Sequence, residues 1–216
     1  MTTLSERLSA LPTAAISDAL DALALPGSLH GLAPLAPAAR ATGPAFTVAY
    51  EPADGDQGSV GDFLDDVPPG AVIVIDNAGR TDCTVWGGIM TRTAAHRGIA
   101  ATVVHGACRD VATTIATAYP LWSGGVFMRT GKDRVRLAAV GTPLTVVGVR
   151  VAPDDIVSAD ADGVVVIPAR HLEQVVDLAE RIEHTEDQII TAVREGRPLR
   201  RARADFGYHH LQRGPA

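Results

Sequence analysis

The sequence predicts an α/β chain: a layered β/β/α-type domain with a partly parallel central sheet, a second, mostly antiparallel sheet and a long C-terminal helix. Three observations predict it. Two continuous β-branched runs, Ala71–Asp76 and Ala100–His105, alternate with helical stretches in the middle third, and such runs suit parallel strands covered on both faces. Short strand-like pieces separated by Gly, Pro and Asp follow them. The last third then carries apolar residues Val175, Leu178, Ile182, Ile189 and Ala192 largely on one side of a charged segment, the pattern of an amphipathic helix.

Taken in order, Thr13–Ala24 reads as a helix, because Ile16, Leu20 and Leu23 recur at helical spacing and Pro26-Gly27 stops it. Gly43–Tyr50 reads as a strand and Val60–Val67 as a helical turn or two. After the turn Pro68-Pro69-Gly70 comes the strand Ala71–Asp76, then a polar loop, Asn77–Trp86. Gly88–His96 reads as a helix with Gly98 as its left-handed stop. The strand Ala100–His105, a tight turn at Gly106-Ala107-Cys108 and a helix Arg109–Ala118 follow. Gly125–Thr130, Leu144–Val149, Val151-Ala152 and Val164–Ile167 read as the short strands of the second sheet. Pro168 leads into the long helix, about Arg170–Glu195, which Pro198 ends. No repeat, linker or low-complexity tract interrupts this order, so one domain over 1–216 is expected, with its core at about 13–196 and 197–216 as a C-terminal tail.

Composition excludes several classes. The 216 residues are 46% hydrophobic and 20% charged, enough apolar side chain for a packed core. Aromatics are only 4%, so that core rests on Val, Ile, Leu and Ala. A net charge of −6 argues against nucleic acid as a partner, which calls for a basic face. No apolar run approaches the ~18 residues of a membrane span, and Met1–Ala10 lacks the order of a secretion signal. Cys83 and Cys108 give no disulfide framework and no zinc spacing. The expected location is cytoplasmic. Of the 19 basic residues only Lys132 is a lysine.

Chemistry concentrates at two loop–helix junctions, Trp86-Gly87-Gly88-Ile89-Met90 and Gly106-Ala107-Cys108-Arg109-Asp110. A helix N-terminus offers free amides and a positive dipole end to an anion. Glycine lets the backbone approach a ligand. Arg109, just past a buried strand, is placed where ligands of open α/β sheets bind, and its guanidinium can grip a carboxylate with two hydrogen bonds. Asp110 offers a hard oxygen for Mg²⁺ or Mn²⁺. Each piece alone has a plainer meaning: an Asp opening a helix is commonly an N-cap, Gly-Gly a turn, and Arg-Asp a surface pair. His105 reads as a hydrogen-bonded structural histidine, and Asp160 and Asp162 as turn formers. His209-His210 fall in the tail. Arg194, Arg197, Arg200, Arg201 and Arg203 form a basic patch, read as a solvated helix end or subunit contact.

These residues resemble a known family. Asp18-Ala19-Leu20, Gly43-Pro44-Ala45-Phe46-Thr47-Val48, Pro69-Gly70, Trp86-Gly87-Gly88, Gly106-Ala107-Cys108-Arg109-Asp110 and Asp160 to Pro168 stand in the order seen in the RraA-like family. That family includes 4-hydroxy-4-methyl-2-oxoglutarate / 4-carboxy-4-hydroxy-2-oxoadipate aldolases and the regulator of RNase E activity. The resemblance runs from about Thr13 to Gly196, and Gly-x-x-Arg-Asp with the upstream Trp-Gly-Gly is its most specific part. It implies a swivelling β/β/α-type fold, a trimer or a hexamer built as a dimer of trimers, and a small 2-oxo acid as substrate. By position it implies that Gly87, Gly88, Ile89 and Met90 bind the pyruvyl carboxylate, that Arg109 binds substrate, and that Asp110 ligates a divalent cation (Mg²⁺ or Mn²⁺) partly through water. Glu186 matches the glutamate lent by a neighbouring subunit. Several family aldolases carry Asp or Glu where this chain has Gly88, and their Pro-Gly-Asp turn is Pro69-Gly70-Ala71 here.

The activity implied is that of a class II-type aldolase. It cleaves a 4-hydroxy-2-oxo acid to pyruvate and a second carbonyl compound through an enolate, and the same enolate serves oxaloacetate decarboxylation. A Schiff-base aldolase needs an amine of depressed pKa. Lys132, in a polar stretch, reads instead as a surface lysine, solvated or touching substrate. The alternative is a non-catalytic binding protein of the RNase-regulating kind, which has no need of a carboxylate beside the arginine. A swivelling phosphohistidine domain would need its histidine at Arg92, and no Gly-rich loop is present that would cradle S-adenosylmethionine.

Overall fold

The two β-branched runs become adjacent parallel strands, and the sheet grows outward from them. In this computed structural model, which describes residues 3–37, 39–54, 58–208 and 211, the chain runs α1 (Leu4–Ala10), α2 (Thr13–Ala22), β1 (Ala33–Pro34), β2 (Ala41–Pro52), a 3-10 turn at Asp62–Asp66, β3 (Val72–Asp76), α3 (Gly88–His96), β4 (Ala101–Cys108), α4 (Val111–Ala116), β5 (Leu121–Val126), β6 (Val135–Val140), β7 (Leu144–Val146), β8 (Val149–Val151), β9 (Ile156–Ala159), β10 (Val164–Ile167), a second 3-10 turn at Ala169–His171, α5 (Leu172–Arg194) and α6 (Leu199–Asp205).

Strands β2, β3, β4 and β5 are parallel neighbours; α3 and α4 make the crossovers from β3 to β4 and from β4 to β5, and the 3-10 turn at Asp62–Asp66 lies in the one from β2 to β3. Their order is β1-β5-β4-β3-β2-β9-β10, with β6 also pairing β2; β1, β6, β9 and β10 pair antiparallel. Both faces of the parallel part are buried. Ile73 and Ile75 pack with Met90 and Ala94 of α3. Val72 and Val74 pack with Val146 and Val151 of the β7–β8 ribbon. Strand β10 divides the same way: Val164 and Val166 join that second core, whereas Val165 and Ile167 face Ile16 and Leu20 of α2 and Val175 and Ala179 of α5.

The mixed α/β architecture is as expected, and four details differ. Strand β4 continues through Gly106-Ala107-Cys108, which reads as a turn in sequence. Gly106 takes φ +154°, the ladder to β5 slips between Val104 and Ala107, and pairing then resumes. Strand β5 starts at Leu121 rather than Gly125, because Leu121 and Trp122 are buried opposite Thr102 and Val103. The second sheet is only the β7–β8 ribbon, since β9 and β10 join the main sheet through the first residues of β2. Strands β1, β6 and β9 and helices α1 and α6 were not expected. Helix α1 carries a reciprocal cap, the Thr3 hydroxyl to the Glu6 amide and the Glu6 carboxylate to the Thr3 amide. Helix α6 lies within the segment read as a tail, where Ala202 packs on Ile189 and Ala192. His209 and His210 lie outside the described residues. No helix among the described residues is long and apolar enough to cross a membrane.

Candidate active site

Backbone stitching brings the two loop–helix junctions together. Thr84 pairs with Ala107 as a parallel bridge, and the Arg109 amide donates to the Trp86 carbonyl at 3.0 Å. Trp86 itself is locked: its Nε1 donates to Thr91 Oγ1 at 2.9 Å, and its ring stacks on Tyr119 with centroids 6.1 Å apart. Gly87 and Gly88 are thereby held against Arg109 and Asp110. A Cβ on Gly87 would lie 3.0 Å from Asp110 Oδ2 and 3.1 Å from Arg109 Nε, and one on Gly88 3.2 Å from that same oxygen. The spacing leaves no room for a side chain without displacement.

Asp110 occupies the N-cap position of α4 but does not cap it with its side chain. Its backbone is left-handed, with φ +60°, and Oδ2 reaches across to accept the Gly88 amide of α3 at 2.7 Å. Arg109 Nε lies 3.8 Å from this oxygen, and Nη1 reaches the Met128 carbonyl at 3.5 Å. The first amides of any helix lack internal partners. Asp110 takes that of Gly88, and no group among the described residues engages those of Ile89 and Met90. A cleft of about 380 Å³ opens here, lined by Gly87 to Met90, Arg109, Asp110, Thr84, Thr130 and Lys132.

The match to known proteins decides the family. The model described as "RraA-like: Aldolase/RraA" matches residues 13–166. This chain belongs to the RraA-like family. It is 42% identical to "Protein DlpA" of Legionella pneumophila over 96% of its own length but 34% of that protein's, so it spans about a third of this relative. It is 36% identical to a "Putative 4-hydroxy-4-methyl-2-oxoglutarate aldolase" of Halalkalibacterium halodurans, covering 79% of each. Among solved structures, an uncharacterized protein from Pseudomonas syringae pv. tomato superposes with TM-score 0.87 at 43% identity, over 93% of this chain and 96% of that one.

Other residues of this RraA-like chain sort by position. Glu186 is half-buried on α5 and does not line the cleft. It stands beside Glu183, whose carboxyl is raised first by burial and then by Glu186 and Asp187. His105 is outside the cleft as well, its Nδ1 2.8 Å from Asp76 Oδ1. Asp160 accepts the Thr13 amide and hydroxyl at 2.8 and 2.6 Å and the Asp162 amide at 2.9 Å; it is a turn former that also caps α2. Burial raises the Cys108 thiol, which leaves it protonated and structural. Lys132, read from sequence as a surface lysine either solvated or touching substrate, lines the cleft.

The donor set suits a hydrated hard cation better than a caged one. Among the described residues no three His, Cys, Asp or Glu side chains converge. Asp110 is the carboxylate of the cleft, with Oδ2 oriented by Gly88. Mg²⁺ typically keeps several waters and binds proteins through one or two carboxylates, so the residues present fit it.

Proposed function

We propose that this RraA-like chain is a divalent-metal-dependent carbon–carbon lyase that cleaves a 4-hydroxy-2-oxo acid to pyruvate and a second carbonyl compound, and decarboxylates oxaloacetate. The observation that carries this reading is the convergence of Arg109, the Asp110 carboxylate and the α3 N-terminus on one cleft, with Asp110 Oδ2 2.7 Å from the Gly88 amide and 3.8 Å from Arg109 Nε. Relatives named as 4-hydroxy-4-methyl-2-oxoglutarate aldolases support it.

The chain's groups divide the work by charge. The Ile89 and Met90 amides and the Arg109 fork bind the carboxylate of the 2-oxo acid. Asp110 would hold the cation, Mg²⁺ or Mn²⁺. A divalent ion bound there supplies Lewis acidity toward the keto oxygen. As the C3–C4 bond breaks, negative charge moves toward the C2 oxygen, and the Arg109 guanidinium offsets it. Glu186 enters the site of a neighbouring copy in a trimer or a dimer of trimers.

The test is pyruvate release from oxaloacetate and a panel of 4-hydroxy-2-oxo acids, with Mg²⁺ and after EDTA. Release that EDTA abolishes and Mg²⁺ restores is expected. No release from any substrate in Mg²⁺ would remove the lyase reading in favour of a non-catalytic regulator.

A further inference from the structure

We propose that Ser59 and Asp62 form the relay that accepts a proton during carbon–carbon cleavage: Ser59 Oγ takes the C4-hydroxyl proton of the substrate while its own proton passes to the Asp62 carboxylate. The proposal rests on the reading above for the reaction itself. Ser59 lines the same cleft as Arg109 and Asp110, and its hydroxyl donates to Asp62 Oδ2.

Cleavage of a 4-hydroxy-2-oxo acid needs a base, because C4 becomes a carbonyl only as its hydroxyl gives up a proton. The cleft lining supplies few. Gly87 and Gly88 have no side chain, and Ile89 and Met90 are apolar. Arg109 and Lys132 are donors without an acceptor site. Asp110 Oδ2 already accepts the Gly88 amide at 2.7 Å, and this carboxylate is the one assigned to the cation. Of the three hydroxyls, that of Thr84 donates to the Arg129 carbonyl at 3.0 Å, and Thr130 Oγ1 accepts the Lys132 amide at 3.2 Å. Among the described residues of the lining, Ser59 alone has its hydroxyl on a carboxylate. With its proton held there, its lone pairs are left to accept from a substrate hydroxyl.

The segment that carries Ser59 is pinned on both sides. A Cβ on Gly58 would lie 2.0 Å from the Val135 carbonyl oxygen, and the Gly58 carbonyl accepts the Asp133 amide at 3.2 Å. Gly61 takes φ +105° and donates its amide to the hydroxyl oxygen of buried Tyr50 at 3.2 Å. A Cβ on Gly61 would lie 3.2 Å from Met90 Sδ. The segment is thereby set against α3, the helix whose first amides are assigned to the substrate carboxylate.

The step balances within the chain and the substrate. The C4 O–H electron pair becomes the second bond of the new carbonyl, the C3–C4 pair moves into the enolate, and the proton goes by way of Ser59 to Asp62. Asp62 is exposed and returns that proton to solvent, while water protonates C3 to give the methyl group of pyruvate. Oxaloacetate has a carboxylate at C4 and no hydroxyl there, so it loses CO₂ with no such proton to remove. The relay is required by one reaction of the cleft and idle in the other.

The test is steady-state pyruvate release by the full chain in Mg²⁺ buffer from two substrates, oxaloacetate and the best-cleaved 4-hydroxy-2-oxo acid of the panel above. Asp62→Asn keeps an acceptor for the Ser59 hydroxyl and removes the base; Ser59→Ala removes the hydroxyl itself. Each is expected to lower kcat/KM for cleavage at least about a hundredfold while leaving oxaloacetate decarboxylation and the thermal midpoint at wild-type values. Ser59→Thr should recover most of the loss, and the double variant should fall no further than either single one, because the two residues act as a unit. Equal loss of both reactions would mean that the segment only shapes the cleft, and it overturns the proposal. So does unchanged cleavage in either variant. Wild-type decarboxylation without cleavage of any hydroxy acid removes this proposal and leaves the enolate chemistry standing; no pyruvate from either substrate removes the lyase reading and this one with it.

Discussion

Asp110 pairs a left-handed backbone, φ +60°, with a carboxylate turned away from its own helix toward the Gly88 amide. Asp and Asn tolerate this conformation better than other side chains with a Cβ. Asp110→Asn can therefore keep both the backbone and an acceptor for Gly88 while removing the charge. Its thermal midpoint should stay within a few degrees of wild type, and pyruvate release should fall at least about a hundredfold, the scale of losing a key electrostatic group. Steady-state rates with thermal unfolding check this; near-wild-type activity would show that the charge is not used. Gly88→Ala probes the same oxygen from the other side, since the new Cβ meets Asp110 Oδ2 at 3.2 Å. A several-fold rise in the Mg²⁺ concentration for half-maximal rate is the expected outcome of a Mg²⁺ titration. The closeness of Arg109 and Asp110 to the glycine pair was legible, because each group directly opens or precedes a helix. Lys132 stayed open between solvent and substrate, because its place in the cleft depends on Thr84 tying two distant loops together, which no spacing along the chain encodes.

At the scale of elements, α2 is held at its N-terminus by a residue far along the chain. Burial alone would raise the Asp160 carboxyl, but hydrogen bonds from the Thr13 hydroxyl, the Thr13 amide and the Asp162 amide outweigh it, and the group sits below its ordinary value of 3.8. The folded state thus binds this proton more weakly than the unfolded chain. The stabilisation is present above the unfolded value and is lost as pH falls through the lower folded one. Thr13→Ala, which deletes the hydroxyl donor, should lower the thermal midpoint at pH 7, and the gap from wild type should narrow below about pH 4. A gap constant from pH 7 to pH 3 would mean that the carboxylate's charge is irrelevant to the cap. The elements themselves were unevenly legible. Strands β3 and β10 are apolar at nearly every position because both faces are covered, and their β-branched runs declare it. Strand β6 is largely exposed after Val135 and has no such run, so only its pairing with β2 defines it. Helix α6 is short and Arg-rich, and what makes it a helix is a small cluster with the end of α5, which local pattern does not reveal.

At the scale of the molecule, the cleft and Glu186 lie on different surfaces of one chain, and both carry exposed apolar side chains. Ile89 at the cleft is 82% exposed and Ile190 on α5 is 47% exposed. Two unlike patches that meet between copies make a head-to-tail contact, and such contacts close into rings when the rotation allows. In the proposed trimer each site then takes Arg109 from one copy and Glu186 from the next. Glu186→Gln and Arg109→Ala chains, each nearly inactive alone, should complement when co-expressed in equal amounts. A site intact in both residues arises when one wild-type Arg109 meets one wild-type Glu186, so random mixing should restore about a quarter of wild-type pyruvate release. If Glu186 instead served its own chain, every site in the mixture would lack one of the two groups and activity would not return. Sedimentation of the mixed sample separates that outcome from failure to assemble: a trimer mass without recovered activity rules out Glu186 as a shared residue, and a monomer mass rules out the assembly itself.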